Sequence, residues 1–310
     1  MWFRPSPNLL RKGSMATTPL ILPSPPPSGP PCPVCEFPSS APFRVVDDVE
    51  YFECLDCGSI VAAPDVLKAV EEGRFPRNYD ERYWVNEDRS AWQRSHGASL
   101  ARVAEVFLYA RRPIRRFLDI GSGPGYLLDA LSTYLPGAKN LFWGVELFPP
   151  ERHTAHPNFR HCGVGDLEGR FDAGLCMEVV EHMTPGQVRR LAQDLAKVSE
   201  PDAIYLINTG MPPYVKSSDP KYLDPYRRGH VVSYSLKGLQ ALFVPAGFVV
   251  RPLRGKDWAC VVEYRPTVTG QDLVDERIWT PEPSNVRALK DPTMGEVLYV
   301  LGLDAARAYQ

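Results

Sequence analysis

The fold of this chain is decided by one stretch, Phe117-Leu-Asp-Ile-Gly-Ser-Gly-Pro-Gly125. It begins as a run typical of a buried strand, ends in three glycines, and is followed directly by a helical pattern. Such a turn leaves backbone N–H groups at the N-terminus of a helix, where an anionic or polar cofactor can bind. The glycines are spaced G-x-G-x-G, and Tyr126 stands where the dinucleotide fingerprint G-x-G-x-x-G has its third small residue.

The bulk properties exclude several classes of protein. The 310 residues are enough for one large domain with small additions, and a hydrophobic content of 44% is ordinary for a globular protein. A net charge of -2 disfavours a nucleic-acid binder, since such proteins usually carry a basic surplus. No apolar run has the length of a membrane span. The Pro-rich N-terminus has no secretion signal, so we expect a cytoplasmic protein.

Four of the seven cysteines form two C-x-x-C pairs, Cys32/Cys35 and Cys54/Cys57, separated by eighteen residues. This spacing is typical of a structural zinc site, in which four thiolates surround Zn²⁺ and leave no open position for catalysis. Short strand patterns between the pairs indicate a small zinc ribbon. Two disulfides or an unmetallated loop are the alternatives, and a reducing compartment favours zinc.

Downstream of the ribbon, strand and helix patterns alternate. Strands are predicted at 116–121, 141–147, 159–164, 171–177, 203–209, 248–253 and 258–264, and helices at 90–110, 125–134, 186–198 and 236–246. This alternation predicts an α/β fold with a parallel, doubly wound, Rossmann-like sheet. The last two strands would complete a sheet of seven strands with a closing antiparallel hairpin.

Four further stretches follow the glycine loop. They are Phe142-Trp-Gly-Val-Glu146, Gly165-Asp-Leu167, Phe171-Asp-Ala-Gly-Leu-Cys-Met-Glu-Val-Val-Glu-His182 and Gly229-His-Val-Val-Ser-Tyr-Ser235. Together, and in this order, they resemble the motifs of class I S-adenosylmethionine-dependent methyltransferases. The cysteine pairs extend the resemblance to members with an N-terminal zinc-binding segment, so that it covers roughly residues 31 to 265.

With this resemblance the chain is divided into five predicted segments. They are a disordered Pro-rich N-terminus (1–30), the zinc ribbon (31–64), a connector and helix (65–110), the methyltransferase domain (111–266) and a C-terminal tail (267–310) with a short helix from about Met294. The connector contains Tyr79, Tyr83 and Trp84. These aromatic rings either form a lid over cofactor or substrate or pack the connector onto the domain.

The cofactor implied by the resemblance is S-adenosylmethionine. An acid at the end of the second strand, Glu146, can accept hydrogen bonds from ribose hydroxyls. By resemblance, Asp166 would bind the adenine amino group and Leu167 would pack against the ring. The complete set of predicted cofactor-binding residues is Asp119, Gly121, Gly123, Gly125, Glu146, Leu147, Asp166, Leu167 and Glu178.

The predicted catalytic residues are Glu181, His182 and His230. If the acceptor is a hydroxyl, a histidine could remove its proton, because histidine titrates near neutrality. Glu178, Glu181 and His182 are spaced i, i+3 and i+4, and so share one face of a helical turn. With His230 they resemble the set that binds a divalent metal in small-RNA 2′-O-methyltransferases and some quinone-pathway O-methyltransferases. A metal site, a general base and a purely structural role remain open.

The sequence therefore predicts an S-adenosylmethionine-dependent methyltransferase acting on a small molecule, with a hydroxyl of a sugar or other metabolite as acceptor. One alternative is an RNA or protein methyltransferase that docks its substrate through the ribbon. Another is a binding module that retains the fold without catalysis. The glycines, Glu146 and the Glu-His motif weigh against the binding module.

Overall fold

The computed structural model describes residues 29–76, 81–268 and 272–299. The strands in this part of the chain are β1 (Ser40–Val46), β2 (Val49–Cys54), β3 (Ile60–Ala62), β4 (Phe117–Ile120), β5 (Phe142–Glu146), β6 (Phe159–His161), β7 (Phe171–Met177), β8 (Ser199–Asn208), β9 (Val232–Ser233), β10 (Phe248–Pro252) and β11 (Ala259–Tyr264). The α-helices there are α1 (Pro64–Glu71), α2 (Glu81–Ser95), α3 (Ala98–Tyr109), α4 (Tyr126–Tyr134), α5 (Pro185–Lys197), α6 (Pro212–Ser217), α7 (Leu236–Phe243), α8 (Pro283–Leu289) and a last helix at 292–299.

The larger sheet has seven strands in the order β10-β11-β8-β7-β4-β5-β6. Strands β4 to β8 are parallel, whereas β11 runs antiparallel to both β8 and β10. This confirms the predicted fold class, including the antiparallel closing hairpin. Strand β4 pairs with β5 on one side and β7 on the other, so the chain order reverses at β4. A crevice opens beyond the carboxyl ends of strands at such a reversal, and ligands bind there.

Helices cover both faces of this sheet because its strands are apolar on both sides. Side chains alternate across β4, and Phe117 and Leu118 belong to two different apolar clusters. Phe117 packs with Phe107 of α3 and with Phe142 of β5. Leu118 belongs to the cluster that contains Leu195 of α5. The two clusters hold β4 rigidly, and therefore also the glycine loop that follows it.

The smaller sheet has the order β1-β2-β3-β9, and all its strands are antiparallel. Its first three strands are the predicted ribbon, but β9 comes from residues 232–233, far along the chain. Main-chain hydrogen bonds therefore join the ribbon to the segment between β8 and β10 of the large sheet. The division of the chain into domains remains a prediction, and this pairing crosses the proposed boundary between 31–64 and 111–266.

The helix predicted at 90–110 was wrong in its extent, since two helices, α2 and α3, meet at Gly97. Gly97 has non-helical backbone angles and begins α3. Helix α2 starts nine residues earlier than expected, within the segment interpreted as a connector. It buries only Ala91, so it lacks the apolar periodicity that reveals a helix in sequence.

The segment after 266 is less extended than predicted. Besides the expected final helix, which contains the buried Met294, it forms α8. Pro283 occupies the first turn of α8, where a missing N–H costs little. Buried Asn285 of α8 accepts the N–H of Ile114 at 2.8 Å and donates to the carbonyl of Arg112 at 3.0 Å, so this segment is fixed beside β4.

In the portions of the chain described by the structure, no helix has both the length and the apolar character needed to cross a bilayer. The predicted disordered segment 1–30 lies almost entirely outside the described residues, as do Tyr79 and the last residues of the tail.

Candidate functional site

The glycine loop after β4 adopts a backbone that only glycine tolerates easily. Gly121, Gly123 and Gly125 have φ of 69°, 54° and 78°, in the left-handed region. A Cβ on Gly121 would lie 2.5 Å from Cγ2 of Val179, and one on Gly125 would overlap Thr154. Helix α4 begins directly after the loop. Its first N–H groups therefore face the crevice, where they can bind a polar cofactor.

Two carboxylates fix the shape of this loop. Asp119 is buried and accepts a hydrogen bond from Oγ of Ser122 at 2.7 Å. Burial raises the pKa of Asp119 to about 7, the hydrogen bond from Ser122 opposes the rise, and the charge of Glu146 adds to it. Glu146, at the end of β5, accepts the N–H of Gly123 at 2.9 Å and that of Phe148 at 3.0 Å. The Glu146 carboxylate is thus held at the mouth of the crevice.

The adenine-binding residues predicted by resemblance lie at the neighbouring strand end. A short 3₁₀ turn at Val164–Asp166 follows β6, and Asp166 accepts the N–H of Gly163 at 3.1 Å. The Asp166 side chain is exposed and Leu167 is half-buried. Leu147 is 55% exposed, which is unusual for a leucine at the end of a buried strand. Apolar surface left open beside a polar turn suits a flat, partly polar ring.

One of the three predicted lid aromatics covers the glycine loop. Ring atoms of Trp84 lie 3.1 and 3.2 Å from the position of a Cβ on Gly123. Its indole N–H donates to the carbonyl of Phe148 at 2.8 Å, and Tyr83 packs edge-on against it at 4.9 Å between ring centroids. Helix α2 is tied down further by a hydrogen bond from Tyr126 to Asp88. Trp84 therefore contacts both the cofactor loop and the strand end that carries Glu146.

Glu178 occupies a strained position between the cofactor end and the histidines. Its φ is 55°, which is uncommon for a residue with a side chain and is often found at functional sites. Its N–H donates to the carbonyl of Asn208 at 2.9 Å, and its carboxylate accepts the Asn208 amide at 2.7 Å. Asn208 was missed in the sequence, although it is a polar residue at the carboxyl end of a predicted strand.

Glu181, His182 and His230 converge beside Glu178. One ligand atom from each of the three lies within 4.8 Å of the others, and the two imidazole centroids are 4.7 Å apart. Glu181 has no exposed surface. Its carboxylate oxygens make no hydrogen bond of ordinary geometry among the described residues, although the side chains of Glu178 and Thr209 lie close enough to affect its pKa. Burial, with the nearby charge of Glu178, raises the pKa of Glu181 well above its usual range. Glu178 itself is not part of this group of three.

The two imidazoles are oriented by backbone carbonyls. Nδ1 of His182 lies 3.2 Å from the carbonyl of Gly229, and Nδ1 of His230 lies 2.7 Å from that of Tyr222. A carbonyl oxygen only accepts, so Nδ1 of each ring carries a proton, and in the neutral form of each ring Nε2 carries the lone pair. Nε2 of His230 lies 3.9 Å from Oε1 of Glu181. The cluster therefore presents imidazole lone pairs and a carboxylate, which can receive a proton or bind a cation.

The four ribbon cysteines form a second group of possible metal ligands. Sγ of Cys32 lies 3.9 Å from that of Cys57, and Sγ of Cys35 lies 3.5 Å from that of Cys54. Thiolates at the corners of a zinc tetrahedron are about 3.8 Å apart for a Zn–S bond of ~2.3 Å. The N–H groups of Asp56 and Cys57 point at Sγ of Cys54, at 3.4 Å each, and would stabilise its thiolate. The residues fit Zn²⁺, and all four cysteines are free thiols, not disulfides.

Comparison with known proteins identifies the family. Residues 90–253, more than half of the chain, match the family model for a methyltransferase domain. No curated protein matches the chain. Among solved structures, the 1,6-didemethyltoxoflavin-N1-methyltransferase of Burkholderia thailandensis is 20% identical over 72% of this chain and 96% of its own, with a TM-score of 0.42. A sugar N-methyltransferase from Streptoalloteichus is 16% identical over 55% of this chain and 88% of its own, with a TM-score of 0.42.

The assignment to a family rests on the family match and not on the similarity to these solved structures. It spans the glycine loop, Glu146 and the Glu-His segment, and the sheet has the seven strands and the closing antiparallel hairpin that were predicted from the sequence. The chain belongs to the methyltransferase domain family and is a class I S-adenosylmethionine-dependent methyltransferase.

Proposed function

We propose that this methyltransferase transfers the methyl group of S-adenosylmethionine to a hydroxyl of a small molecule bound over Glu181, His182 and His230. The observation that carries the proposal is the fully buried carboxylate of Glu181, which makes no hydrogen bond of ordinary geometry among the described residues and converges with two imidazoles. Such a group costs free energy unless a ligand or a proton satisfies it. The cluster of Glu181, His182 and His230 lies at the same end of the sheet as the glycine loop.

The cofactor half of the site would be formed by the residues around the glycine loop. Glu146 would accept the ribose hydroxyls, and its link to the N–H of Gly123 couples loop shape to ribose binding. Asp166 and Leu167 would hold the adenine, with the exposed face of Leu147 on the same side. Trp84 would close the cofactor against the loop.

The acceptor half would remove one proton. The new bond forms between the acceptor oxygen and the methyl carbon, and the S–CH₃ electron pair returns to sulfur, which becomes a neutral thioether. The leaving group needs no acid, so orientation of the acceptor is the main contribution of the protein. The hydroxyl proton would pass to Nε2 of His182 or His230, each of which has Nδ1 occupied by a carbonyl.

Glu181, His182 and His230 also fit a divalent cation, since two imidazole nitrogens and one carboxylate form a common ligand set. The cation, when bound, would lower the pKa of the acceptor hydroxyl. The backbone carbonyls of Gly229 and Tyr222 would support cation binding as well, because they fix the ring orientation of His182 and His230. Glu178, bonded to Asn208, would remain outside the ligand set.

Burial of this cluster favours a small acceptor. His230 is 5% exposed and Glu181 has no exposed surface, so the reacting hydroxyl must enter a narrow site. A net charge of -2 gives no general attraction for a nucleic acid. The cytoplasmic location of the protein stays a prediction.

The test is transfer of a labelled methyl group to a panel of hydroxyl-bearing metabolites, including sugars, with Mg²⁺ or Mn²⁺ and with a chelator. We expect His182→Gln and His230→Gln to reduce kcat by about 10²- to 10⁴-fold, with the affinity for S-adenosylmethionine unchanged. If methyl transfer by the wild type requires Mg²⁺ or Mn²⁺, and added cation no longer stimulates either variant, the two histidines would be assigned as metal ligands. Normal turnover in both variants would refute the proposed acceptor site.

A further inference from the structure

The zinc ribbon contacts the acceptor half of the site. Strand β3 pairs with β9, with Ile60 opposite Ser233 and Val61 opposite Val232. The N–H of Ala62 then donates to the carbonyl of Val231 at 2.9 Å. These contacts end one residue from His230, so the ribbon lies against the segment that carries a proposed catalytic histidine.

A buried tyrosine of the ribbon reaches His230 itself. The hydroxyl of Tyr51, on β2, donates to the backbone carbonyl of His230 at 2.8 Å, and Tyr51 is only 1% exposed. The next N–H along the chain, from Val231, donates to the carbonyl of Glu181 at 2.9 Å. Tyr51 therefore fixes one side of a short segment, and its other side is bonded to the second member of the cluster.

The zinc ligands are linked to the same segment. Sγ of Cys57 accepts the N–H of Ser59 at 3.5 Å, and the hydroxyl of Ser59 accepts the N–H of Ser235 at 3.1 Å. Ser235 donates in turn to the carbonyl of Cys57. A second link runs from Thr184, two residues after His182, to Glu71 of α1 at 2.6 Å. Contacts from the ribbon and α1 thus support both histidine segments.

We propose that Tyr51 is a positioning residue for His230, and that the zinc-loaded ribbon is a structural part of the acceptor site. A segment of this size rarely folds without its metal, so the Tyr51 contact depends on Zn²⁺. The inference rests on the proposed function, since it gives the ribbon a role in placing His230 for the methyl acceptor. It assigns the ribbon no contact with S-adenosylmethionine.

The experiment compares Tyr51→Phe with Tyr205→Phe in the full-length, zinc-loaded protein. Tyr205 is also fully buried, but its hydroxyl bonds to Ser199, away from the cluster. We expect Tyr51→Phe to lower kcat about tenfold, the effect of one lost hydrogen bond, with S-adenosylmethionine affinity and zinc content unchanged. It should also shift the imidazole NMR signals of His230, which Tyr205→Phe should leave in place.

Equal kcat and equal imidazole signals in the two variants would overturn the inference. Loss of turnover in His230→Gln together with normal turnover in Tyr51→Phe would reject only the positioning role, whereas normal turnover in His230→Gln would reject the proposed function. If Tyr51→Phe does not fold, Ser59→Ala, which removes the acceptor for the N–H of Ser235, tests the second link between the ribbon and the segment that carries His230, with the same expected loss of kcat. Removal of zinc by a chelator, followed by addition of excess Mg²⁺ or Mn²⁺, should still lower kcat and leave the calorimetric cofactor affinity intact. Parallel loss of kcat and cofactor affinity would also overturn the inference.

Discussion

The two ends of the crevice are built in different ways. The proposed cofactor end comes from one nearly continuous stretch, from β4 to the turn after β6, with Trp84 added from α2. The acceptor end joins three distant segments, and Tyr51 and His230 are 179 residues apart. A local turn can specify a cofactor site by itself, whereas the proposed acceptor site should form only when the ribbon and the large sheet are both folded. We therefore expect the two ends to respond differently to substitution.

The largest effect should come from the glycine loop. Gly123→Arg would place a long side chain against the ring of Trp84 on a backbone with φ of 54°. We expect at least about a 100-fold loss of S-adenosylmethionine affinity, equivalent to ~2.7 kcal/mol, measured by calorimetry. Gly137→Arg is the matched control, because nothing lies within 4 Å of its Cβ position. Equal affinities in the two variants would remove the loop from the cofactor site.

A second difference concerns pH, since the cofactor end carries a buried carboxyl with a pKa of about 7. An unfolded aspartate releases its proton near ~3.9, so between about pH 4 and 7 the folded chain holds one proton more. Asp119 should then lower the free energy of unfolding as pH rises, by at most about 4 kcal/mol.

Asp119→Asn tests this effect by denaturant unfolding at several pH values. The variant can still accept the Ser122 hydroxyl through its amide oxygen, and it cannot titrate. Stability of the wild type relative to the variant should be highest near pH 4, fall until about pH 7 and then stay constant. A relative stability that does not change with pH would show that Asp119 keeps an ordinary pKa.

The smallest effect should come from the lid. Trp84→Ala removes the ring over Gly123 and the hydrogen bond to Phe148, so we expect about tenfold weaker cofactor binding. Trp92→Ala is the control, because Trp92 lies on the same helix, is 51% exposed and stacks on His96 instead. A lid that acts only on the cofactor would leave the acceptor KM unchanged. Equal cofactor affinities in the two variants would assign Trp84 to packing alone.

The sequence predicts the cofactor end better than the acceptor end for a physical reason. The spacing of Gly121, Gly123 and Gly125 encodes a backbone with positive φ, and the acid at the end of β5 follows from strand order. The four cysteines of the ribbon, which fit a metal site, are also recognised from their local spacing. These features depend on residues that are close together in the sequence, so one amino-acid sequence is enough to recognise them.

The acceptor end depends on contacts between distant residues. Nothing in the sequence around Tyr51 indicates that its hydroxyl reaches His230, and the two-residue strand β9 is too short to leave a pattern. The motif around Glu181 and His182 was recognised, but the possible metal site predicted from the sequence also included Glu178, which lies outside the group of three. The hydrogen bond to Asn208 makes that separation, and it requires β7 and β8 to be neighbours.

The division of the crevice into a cofactor end and an acceptor end is tested most directly by measuring cofactor affinity and methyl transfer together in Gly123→Arg and His230→Gln. We expect Gly123→Arg to lose both cofactor affinity and methyl transfer, because the cofactor cannot bind. His230→Gln should bind S-adenosylmethionine like the wild type and lose transfer. If His230→Gln weakened cofactor binding as much as Gly123→Arg, or retained full transfer, the crevice would not be divided into a cofactor end and an acceptor end.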